Sequence, residues 1–274
     1  KLLLILIFTL RATAGEPRYD EITWLCTHNA MNAADDGWRL PNQKHTIAKQ
    51  LDQGVRALML DVWKQDGEIV LRHGPNLARF LGFKKLGSEL KTVHTFLKKH
   101  PQSIITLIFE SYVPAEDVAG EITKAKLAEY CHYQDRSIPW PTLSAMRASG
   151  KRLVILSDRV KKGSRAPKWY MPVWSHAWET NWEAKNKADL MAAKARRGKR
   201  SNKLFILNHF ITNGLPNAKH ANTANAAPFL QQRIDHTLKT FQRKPNFLVL
   251  DFYHLGDGAN AVKKLNTRQP AASK

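Results

Sequence analysis

The sequence predicts an α/β protein whose strands form a parallel (β/α)8 barrel. Eight short runs of apolar and β-branched residues recur along the 274-residue chain, and segments with helical spacing lie between several of them. Alternating strands and helices favour parallel pairing, and eight such units in about 250 residues is the usual size of this barrel. A doubly wound open sheet is the structural alternative. No break in composition divides the chain, so we expect a single domain at 15–274.

The apolar runs give the predicted strands in chain order. They lie at 22–27, 55–62, 69–71, 103–109, 153–156, 173–177, 204–207 and 247–250. Helical spacing is clearest at 86–97 and at 230–241, and each of these segments is followed by a proline, Pro101 or Pro245, which a helix interior excludes. The third run is followed by no clear helix before residue 86.

Residues 1–14 have the pattern of an export signal. Lys1 precedes an apolar run at 2–10, and the small residues at 12–14 match a cleavage site. The run is too short to span a bilayer, which takes about 20 helical residues. We therefore expect residues 1–14 to be removed and the mature protein to be secreted or periplasmic. A buried N-terminal strand is the alternative.

The chain is strongly cationic, with 43 Lys and Arg residues against 23 Asp and Glu residues and a formal net charge of +20 at pH 7. Its hydrophobic fraction of 43% and charged fraction of 24% are those of an ordinary globular protein, which excludes a disordered or collagen-like chain. Two cysteines exclude a disulfide-rich scaffold, and the absence of a C-x-x-C pair excludes a structural zinc module. Whether Cys26 and Cys131 pair is left open by their spacing.

Polar, chemically active residues close five of the predicted strands. In a parallel barrel the loops that follow the strands meet at one mouth, so these residues are expected to lie together. Side chains alternate along a strand, and each candidate continues an apolar row of its own strand that can point into the barrel. The candidates are His28 with Asn29, Asp61, His73, Glu110 and Asp251.

Two histidines, an amide and three carboxylates suit phosphoryl transfer. Two imidazoles can act as base and acid near neutral pH. Carboxylates and an asparagine carbonyl are hard oxygen ligands of the kind that calcium and magnesium prefer, and such a cation can neutralise charge that builds up on phosphate oxygens. No glycine-rich nucleotide motif is present, so phosphoryl transfer driven by a nucleotide is not expected.

Four blocks of the chain have a recognisable order. They are 27–32 (THNAMN), 54–61 (GVRALMLD), 71–74 (LRHG) and 105–110 (ITLIFE). Together they resemble the phosphatidylinositol-specific phospholipase C X domain, and in particular the PLC-like phosphodiesterases. The segments 140–143 (WPTL), 152–155 (RLVI) and 247–253 (FLVLDFY) extend the likeness over most of the chain.

The resemblance implies an irregular TIM barrel and a set of catalytic roles. His28 would be the general base that removes the proton from the inositol 2-hydroxyl as this group attacks phosphorus. His73 would be the general acid that protonates the departing diacylglycerol oxygen. Asp251 would orient His28 and keep it basic. We therefore expect a phosphoric diester hydrolase that cleaves phosphatidylinositol or a related phospholipid through a cyclic phosphate.

The resemblance also implies that Asn29, Asp61 and Glu110 bind calcium, with magnesium as the alternative. Met59 stands where the calcium-dependent enzymes carry an acidic ligand, so the set lacks one carboxylate. Metal-independent bacterial members have an arginine in place of Asp61, and an aspartate cannot supply its positive charge. We therefore expect a weak divalent-cation site. In a metal-free mechanism, Arg72 or a loop lysine would have to supply the charge.

Two basic clusters, at 161–168 and at 194–203, flank a segment rich in tryptophan. Each basic residue near an anionic membrane contributes about 1 kcal/mol, and tryptophan favours the interface, so peripheral contact with such a membrane is expected. The charge also suits nucleic acid, although no nucleic-acid module is recognisable. The functional alternatives are an exported nuclease-like phosphodiesterase and a non-catalytic binder of anionic lipid on a decayed barrel. We expect a monomer.

Overall fold

One sheet of ten strands organises the fold in the computed structural model, which describes residues 15–74, 80–192 and 194–267. The strands are β1 (Trp24–Thr27), β2 (Ala57–Gln65), β3 (Glu68–Leu71), β4 (Lys84–Lys85), β5 (Ile105–Ser111), β6 (Leu153–Ser157), β7 (Tyr170–Pro172), β8 (Ala177–Glu179), β9 (Leu204–His209) and β10 (Phe247–Leu250). All pair in parallel except β3 and β4, which pair antiparallel. The predicted export signal at 1–14 lies outside the described residues.

The order of the strands is that of a barrel and not of a doubly wound sheet. Neighbours follow the order β7-β6-β5-β2-β1-β10-β9-β8, which runs outwards from β1 along the chain in one direction and backwards from β10 in the other. The first and last strands therefore lie side by side. Among the described residues no ladder joins β7 to β8, so the curled sheet is open there. The predicted α/β barrel is confirmed in an irregular form.

The helices lie in the connections between the strands, except the last one, which follows β10. They are α1 (Ile47–Asp52), α2 (Leu86–Lys99), α3 (Ala115–Lys124), α4 (Leu143–Ala148), α5 (Val173–His176), α6 (Lys187–Met191), α7 (Ala218–Ala224), α8 (Ala227–Phe241) and α9 (Gly258–Thr267). Helices α2 and α8 end ahead of Pro101 and Pro245, as the sequence predicts. No helix in the described ranges is long and apolar enough to cross a membrane.

The third predicted strand is not part of the parallel barrel. Strand β3 pairs antiparallel with the far end of β2, and the two-residue turn between them is Asp66-Gly67. Both turn residues have positive φ, at 50° for Asp66 and 83° for Gly67, which is the backbone that a tight hairpin requires. The prediction of a parallel unit at 69–71 was therefore wrong because this turn signal was not used.

The prediction of a sixth strand at 173–177 is also wrong. Residues Val173–His176 form the short helix α5, with β7 ending at Pro172 before it and β8 beginning at Ala177 after it. Pro172 has no backbone N–H to offer a strand and precedes the first turn of the helix, a place that tolerates proline. Eight parallel strands are still present because β7 and β8 replace the two that were misassigned.

Alternate side chains of the parallel strands pack in two separate layers. One layer lies inside the curled sheet and contains Cys26, Ala57, Met59, Ile108, Ile206, Phe247 and Val249. The other layer, which includes Leu58 and Leu107, packs against α2, α3 and α8. Cys26 and Cys131 are both buried and unpaired. Because the inner layer is apolar, polar side chains that continue its rows lie at the end of the barrel.

Candidate active site

A cavity of about 470 Å³ opens at the carboxyl ends of the parallel strands. Its lining contains all the residues that the sequence predicts for the site, although they come from segments far apart in the chain. They are His28, Asn29, Asp61, His73, Glu110 and Asp251. Pockets for small molecules usually measure about 300 to 1,000 Å³, so the cavity can take a headgroup.

Four of these residues lie where the alternation of side chains predicts. His28 and Asp251 directly follow β1 and β10, and the backbone N–H of His28 donates to the carbonyl oxygen of Leu250 at 3.0 Å. Asp61 and Glu110 are opposite each other in the register of β2 and β5. Side chains on one face of neighbouring strands lie side by side, so the register of the sheet brings the four together.

His73 reaches the cavity by a route different from the predicted one. The row formed by Ile69 and Leu71 packs with the helices outside the sheet and not inside the barrel. Strand β3 instead returns along β2 as the second arm of a hairpin, and the residues after it carry His73 to the cavity. The alternation argument was therefore wrong for His73, whereas its position in the cavity lining agrees with the sequence analysis.

The His28 ring is held by a carboxylate and by an aromatic ring. Its Nδ1 donates to Oδ1 of Asp251 at 2.9 Å, which leaves the lone pair of Nε2 for a reacting proton. The ring also stacks on Phe210, with ring centres 3.8 Å apart and planes 7° apart. The His28 side chain is 21% exposed and that of Asp251 is 8% exposed, so solvent reaches the imidazole but hardly the carboxylate.

A chain of buried amides connects Asp251 to His73. The carboxamide nitrogen of Asn42 donates to Oδ1 of Asp251 at 3.1 Å. The carboxamide oxygen of Asn42 accepts from Asn32 at 2.8 Å and from Asn29 at 3.3 Å. The nitrogen of Asn32 also lies 3.4 Å from Nδ1 of His73. The orientations of the two candidate catalytic histidines are therefore linked through buried amide side chains.

Sequence reasoning missed several residues that shape this site. The side chain of Gln43 donates to the carbonyl oxygens of His28 at 2.7 Å and of Leu250 at 2.9 Å, which ties together the ends of β1 and β10. Asn32 stands in the first quoted block of the sequence, but Asn42 and Gln43 follow it in a loop with no periodic signal. Only the folded loop shows that these amides face the strand ends.

The environment of His73 favours its neutral form in the free protein. Burial, together with the nearby His28, lowers the pKa of His73 to about 4, although the carboxylates of Asp251 and Glu110 partly oppose the shift. A bound phosphodiester would add a negative charge close to the ring and raise this pKa. The acid role predicted for His73 therefore requires substrate in the cavity.

Three carboxylates lie on the side of the cavity formed by β2, β5 and β6. Asp61 is 8% exposed, and burial together with the charges of Glu110 and Asp158 raises its pKa well above the usual range. Glu110 is exposed and accepts a hydrogen bond from the Tyr112 hydroxyl. Asp158, which the sequence analysis missed, follows β6 and accepts from the backbone N–H of Ser111 at 2.9 Å.

The residues present fit a weakly held cation. No hydrogen-bond donor or basic side chain among the described residues contacts the Asp61 carboxylate, so this buried group has capacity for a ligand. Asn29, Asp61 and Glu110 offer only hard oxygen donors on the protein side, as calcium or magnesium requires. Met59 packs in the apolar layer, and the described residues contain no group of three His, Cys, Asp or Glu side chains arranged for a metal. Water or substrate oxygens would have to supply most of the coordination.

Three arginines that the sequence analysis did not assign to the site carry positive charge at the rim of the cavity. Each lies over an aromatic ring: Arg159 over Tyr112 at 3.9 Å, Arg196 over Trp182 at 5.1 Å and Arg197 over Trp174 at 5.7 Å from the ring centre. Arg72 is instead fully buried, with its guanidinium over Trp63 and bonded to Gln65. In the described lining of the cavity, these rim arginines replace Arg72 and the loop lysines as the source of positive charge.

The tryptophans of the segment between the basic clusters lie partly in the core and partly at the cavity. Trp178 is buried and stacks on Phe205 with ring centres 3.8 Å apart, whereas Trp174 and Trp182 line the cavity. Contact with an anionic membrane stays a prediction.

A comparison with protein families finds one match. A sequence model described as PI-PLC X matches residues 15–266, which is nearly the whole described chain. The chain belongs to the PI-PLC X family. The resemblance of the sequence to the PI-PLC X domain is thereby confirmed, and every residue considered for the PI-PLC X site falls within the matched range.

Relatives of this PI-PLC X chain are distant. A PI-PLC X domain-containing protein of Arabidopsis thaliana is 28% identical over 266 residues, covering 90% of this chain and 62% of its own length. An uncharacterized secreted protein of Arthroderma benhamiae is 24% identical over 271 residues, covering 89% of this chain and 59% of its own length. The chain thus spans about three-fifths of each of these relatives.

Among solved structures, a phosphatidylinositol-specific phospholipase C from Listeria monocytogenes is similar in fold. The TM-score is 0.62 at 17% sequence identity, and the match covers 94% of this chain and 97% of the bacterial one. The likeness supports the irregular barrel and its strand order.

The environment of His73 gives a prediction for its titration. In the free protein we expect the His73 ring to titrate near pH 4, because burial and His28 disfavour the imidazolium. Replacing His28 with alanine removes one neighbouring positive charge, and inorganic phosphate adds a negative one, so both should move the midpoint upward. Ring-proton NMR measures this midpoint, with His236, which lies on α8 outside the cavity, as the internal control. A His73 midpoint near the ordinary value of about 6.5 in the free protein would contradict this description.

Proposed function

We propose that the protein is a phosphoric diester hydrolase that cleaves phosphatidylinositol or a related phospholipid. One observation carries this proposal: His28 and His73 line the same cavity, and Asp251 holds the ring of the first. A binding protein for anionic lipid needs positive charge, but it does not need an imidazole with a carboxylate on Nδ1 and a free Nε2. The rim arginines add positive charge beside the carboxylates of the lining, and two of them, Arg159 and Arg196, pair with Asp158 and Glu179.

The first chemical step forms a cyclic phosphate. Nε2 of His28 accepts the proton of a substrate hydroxyl while that oxygen forms a bond to phosphorus. The bond from phosphorus to the leaving oxygen breaks, and protonated His73 gives its proton to that oxygen. Asp251 remains ionised, accepts the Nδ1–H bond of His28 and stabilises the imidazolium that forms. The products are a cyclic phosphodiester and a free alcohol.

Hydrolysis of the cyclic product uses the same pair in the reverse roles. His73, now neutral, accepts a proton from water as the water oxygen attacks phosphorus. His28, now protonated, returns its proton to the ring oxygen that leaves. Both histidines end in their starting states, so the cycle is balanced and needs no other reagent.

We also propose that Asn29, Asp61 and Glu110 hold a divalent cation, which we expect to be calcium. A cation there supplies electrostatic neutralisation of a phosphate oxygen as charge builds up during attack. The buried carboxylate of Asp61 supports this assignment, because a ligand would offset the cost of burying it without a partner. The missing carboxylate at Met59 is the reason to expect weak binding.

Acid–base catalysis predicts the effect of removing either histidine. His28→Ala and His73→Ala should each lower turnover about 10²- to 10⁴-fold, since each removes one proton-transfer group. Phosphorus NMR follows the reaction on phosphatidylinositol, glycerophosphoinositol, sphingomyelin and RNA, and resolves a cyclic product from an open one. His236→Ala, which changes a histidine on α8 outside the cavity, is the matched control.

The same assay separates the alternatives. Turnover of RNA in preference to the lipids would favour the nuclease-like function. No turnover of any substrate by the unchanged protein, with tight lipid binding retained, would favour the non-catalytic binder. Turnover close to that of the unchanged protein in either histidine variant would remove that residue from the mechanism.

The proposed cation predicts a response to chelation. Removing divalent ions with a chelator should lower turnover, and adding calcium should restore it, because the phosphate charge would otherwise lack its counter-charge. Asp61→Asn should raise the calcium concentration needed for half-maximal recovery, with Asp117→Asn, an exposed position on α3 outside the cavity, as the control. Unchanged turnover through chelation and calcium addition would assign the electrostatic role to the rim arginines instead.

A further inference from the structure

A second pair of histidines lies outside the candidate active site. His45 precedes α1, and His254 follows β10. Their ring centres are 5.2 Å apart, with the planes inclined at 59°. Both line a separate cavity of about 280 Å³ beside α9, together with Tyr253 and Asp257. The proposed catalytic function uses neither histidine.

The ring of His45 is oriented by a carboxylate. Its Nδ1 donates to Oδ2 of Asp35 at 2.8 Å, so its Nε2 keeps a lone pair in the neutral ring. Lys44 binds the other oxygen of Asp35 at 2.8 Å and balances the charge of that carboxylate. A histidine whose far nitrogen is fixed by a carboxylate is the usual arrangement behind a metal-ligating imidazole.

The ring nitrogens of His254 have no hydrogen-bond partner among the described residues that would compete with a metal ion. Within the described ranges neither of its ring nitrogens makes a hydrogen bond to protein. Burial lowers its pKa, and His45 lowers it further, so its lone pair is available at neutral pH. The centre of its ring lies 6.3 Å from that of Phe252 and 6.1 Å from that of Tyr253.

The separation of the two rings matches coordination of one ion. Zinc binds an imidazole nitrogen at about 2.0 to 2.1 Å in tetrahedral geometry, which places the centres of two ligating rings about 5 Å apart. The planes of the two rings are inclined at 59°, so the rings do not stack face to face. We propose that His45 and His254 bind a single transition-metal ion such as zinc, with Asp35 orienting the first ligand.

The site is expected to be open. The described part of the chain brings no three His, Cys, Asp or Glu side chains together for a metal, so water completes the coordination from the cavity. Asp257 on the same cavity wall adds negative charge near the ion. The positive charges of Lys44 and Lys49 lie near His254 and limit the affinity of the site for a cation.

Binding at this site would join two segments that also support the candidate active site. The backbone N–H of Phe252 donates to the carbonyl oxygen of Asn42 at 2.8 Å, and the N–H of Tyr253 donates to Gln43 at 3.3 Å. His45 and His254 lie just beyond these contacts on the same two segments. An ion shared by the two histidines therefore restrains the loop that carries Asn42 against the segment that begins with Asp251, and should raise the melting temperature.

Calorimetric titration of the full chain with zinc chloride tests the site, after removal of bound metals and in the presence of excess calcium. We expect one zinc per chain. His254→Ala and His45→Ala should each abolish that binding, and Asp35→Asn should weaken it about 10- to 100-fold, as loss of an orienting carboxylate does. His236→Ala should bind like the unchanged protein. Circular dichroism establishes that each variant is folded.

A further variant separates this site from the candidate active site. His28→Ala should keep the zinc binding and the zinc-dependent rise in melting temperature, whatever its effect on turnover. The proposal is overturned if the unchanged protein binds no zinc, if His254→Ala and His45→Ala bind it normally, or if His28→Ala loses it. None of these results depends on whether the protein cleaves a phosphodiester.

Discussion

The hydrogen bond between His28 and Asp251 depends on the pairing of the first strand with the last. The two residues are 223 positions apart in the chain, yet each is the first residue after a strand, and β1 and β10 pair in parallel with Thr27 opposite Leu250. A shift of one residue in that register would turn one of the side chains to the other face and break the bond. The geometry of the site is therefore a consequence of how the first and last strands of the barrel meet, and Gln43 reinforces that meeting by bonding to both strand ends.

Burial explains why the site contains so many amides. A carboxylate as buried as that of Asp251 is stable only with donors around it, and His28 and Asn42 supply two. Asn42 in turn has its oxygen satisfied by Asn32 and Asn29, which extends the network to His73. Neutral amides hold the network together without adding charge beside the histidines. Asp61 is the exception, since nothing in the described residues donates to its carboxylate, and a ligand at that position would remove the cost of burying it.

The strand-end residues could be predicted because side chains alternate along each strand and because parallel strands end at the same edge of the sheet. Cys26, Ala57, Ile108 and Val249 lie in the inner layer as expected, and His28, Glu110 and Asp251 follow from them. His73 was placed in the cavity by its motif, while the strand argument for it failed at the Asp66-Gly67 turn. Asn42, Asp158 and the rim arginines could not be predicted, because they belong to loops whose paths depend on packing between distant segments. Export and the roles of the six site residues stay predictions.

The proposed mechanism requires that the rings of His28 and His73 act on one phosphorus atom from two sides. A crystal structure of the protein with bound myo-inositol 1-phosphate tests this most directly. We expect the phosphate in the cavity with an oxygen within about 2.6 to 3.2 Å of a nitrogen of each ring. A phosphate bound elsewhere, or in contact with only one of the two histidines while the other faces packed interior, would contradict the mechanism.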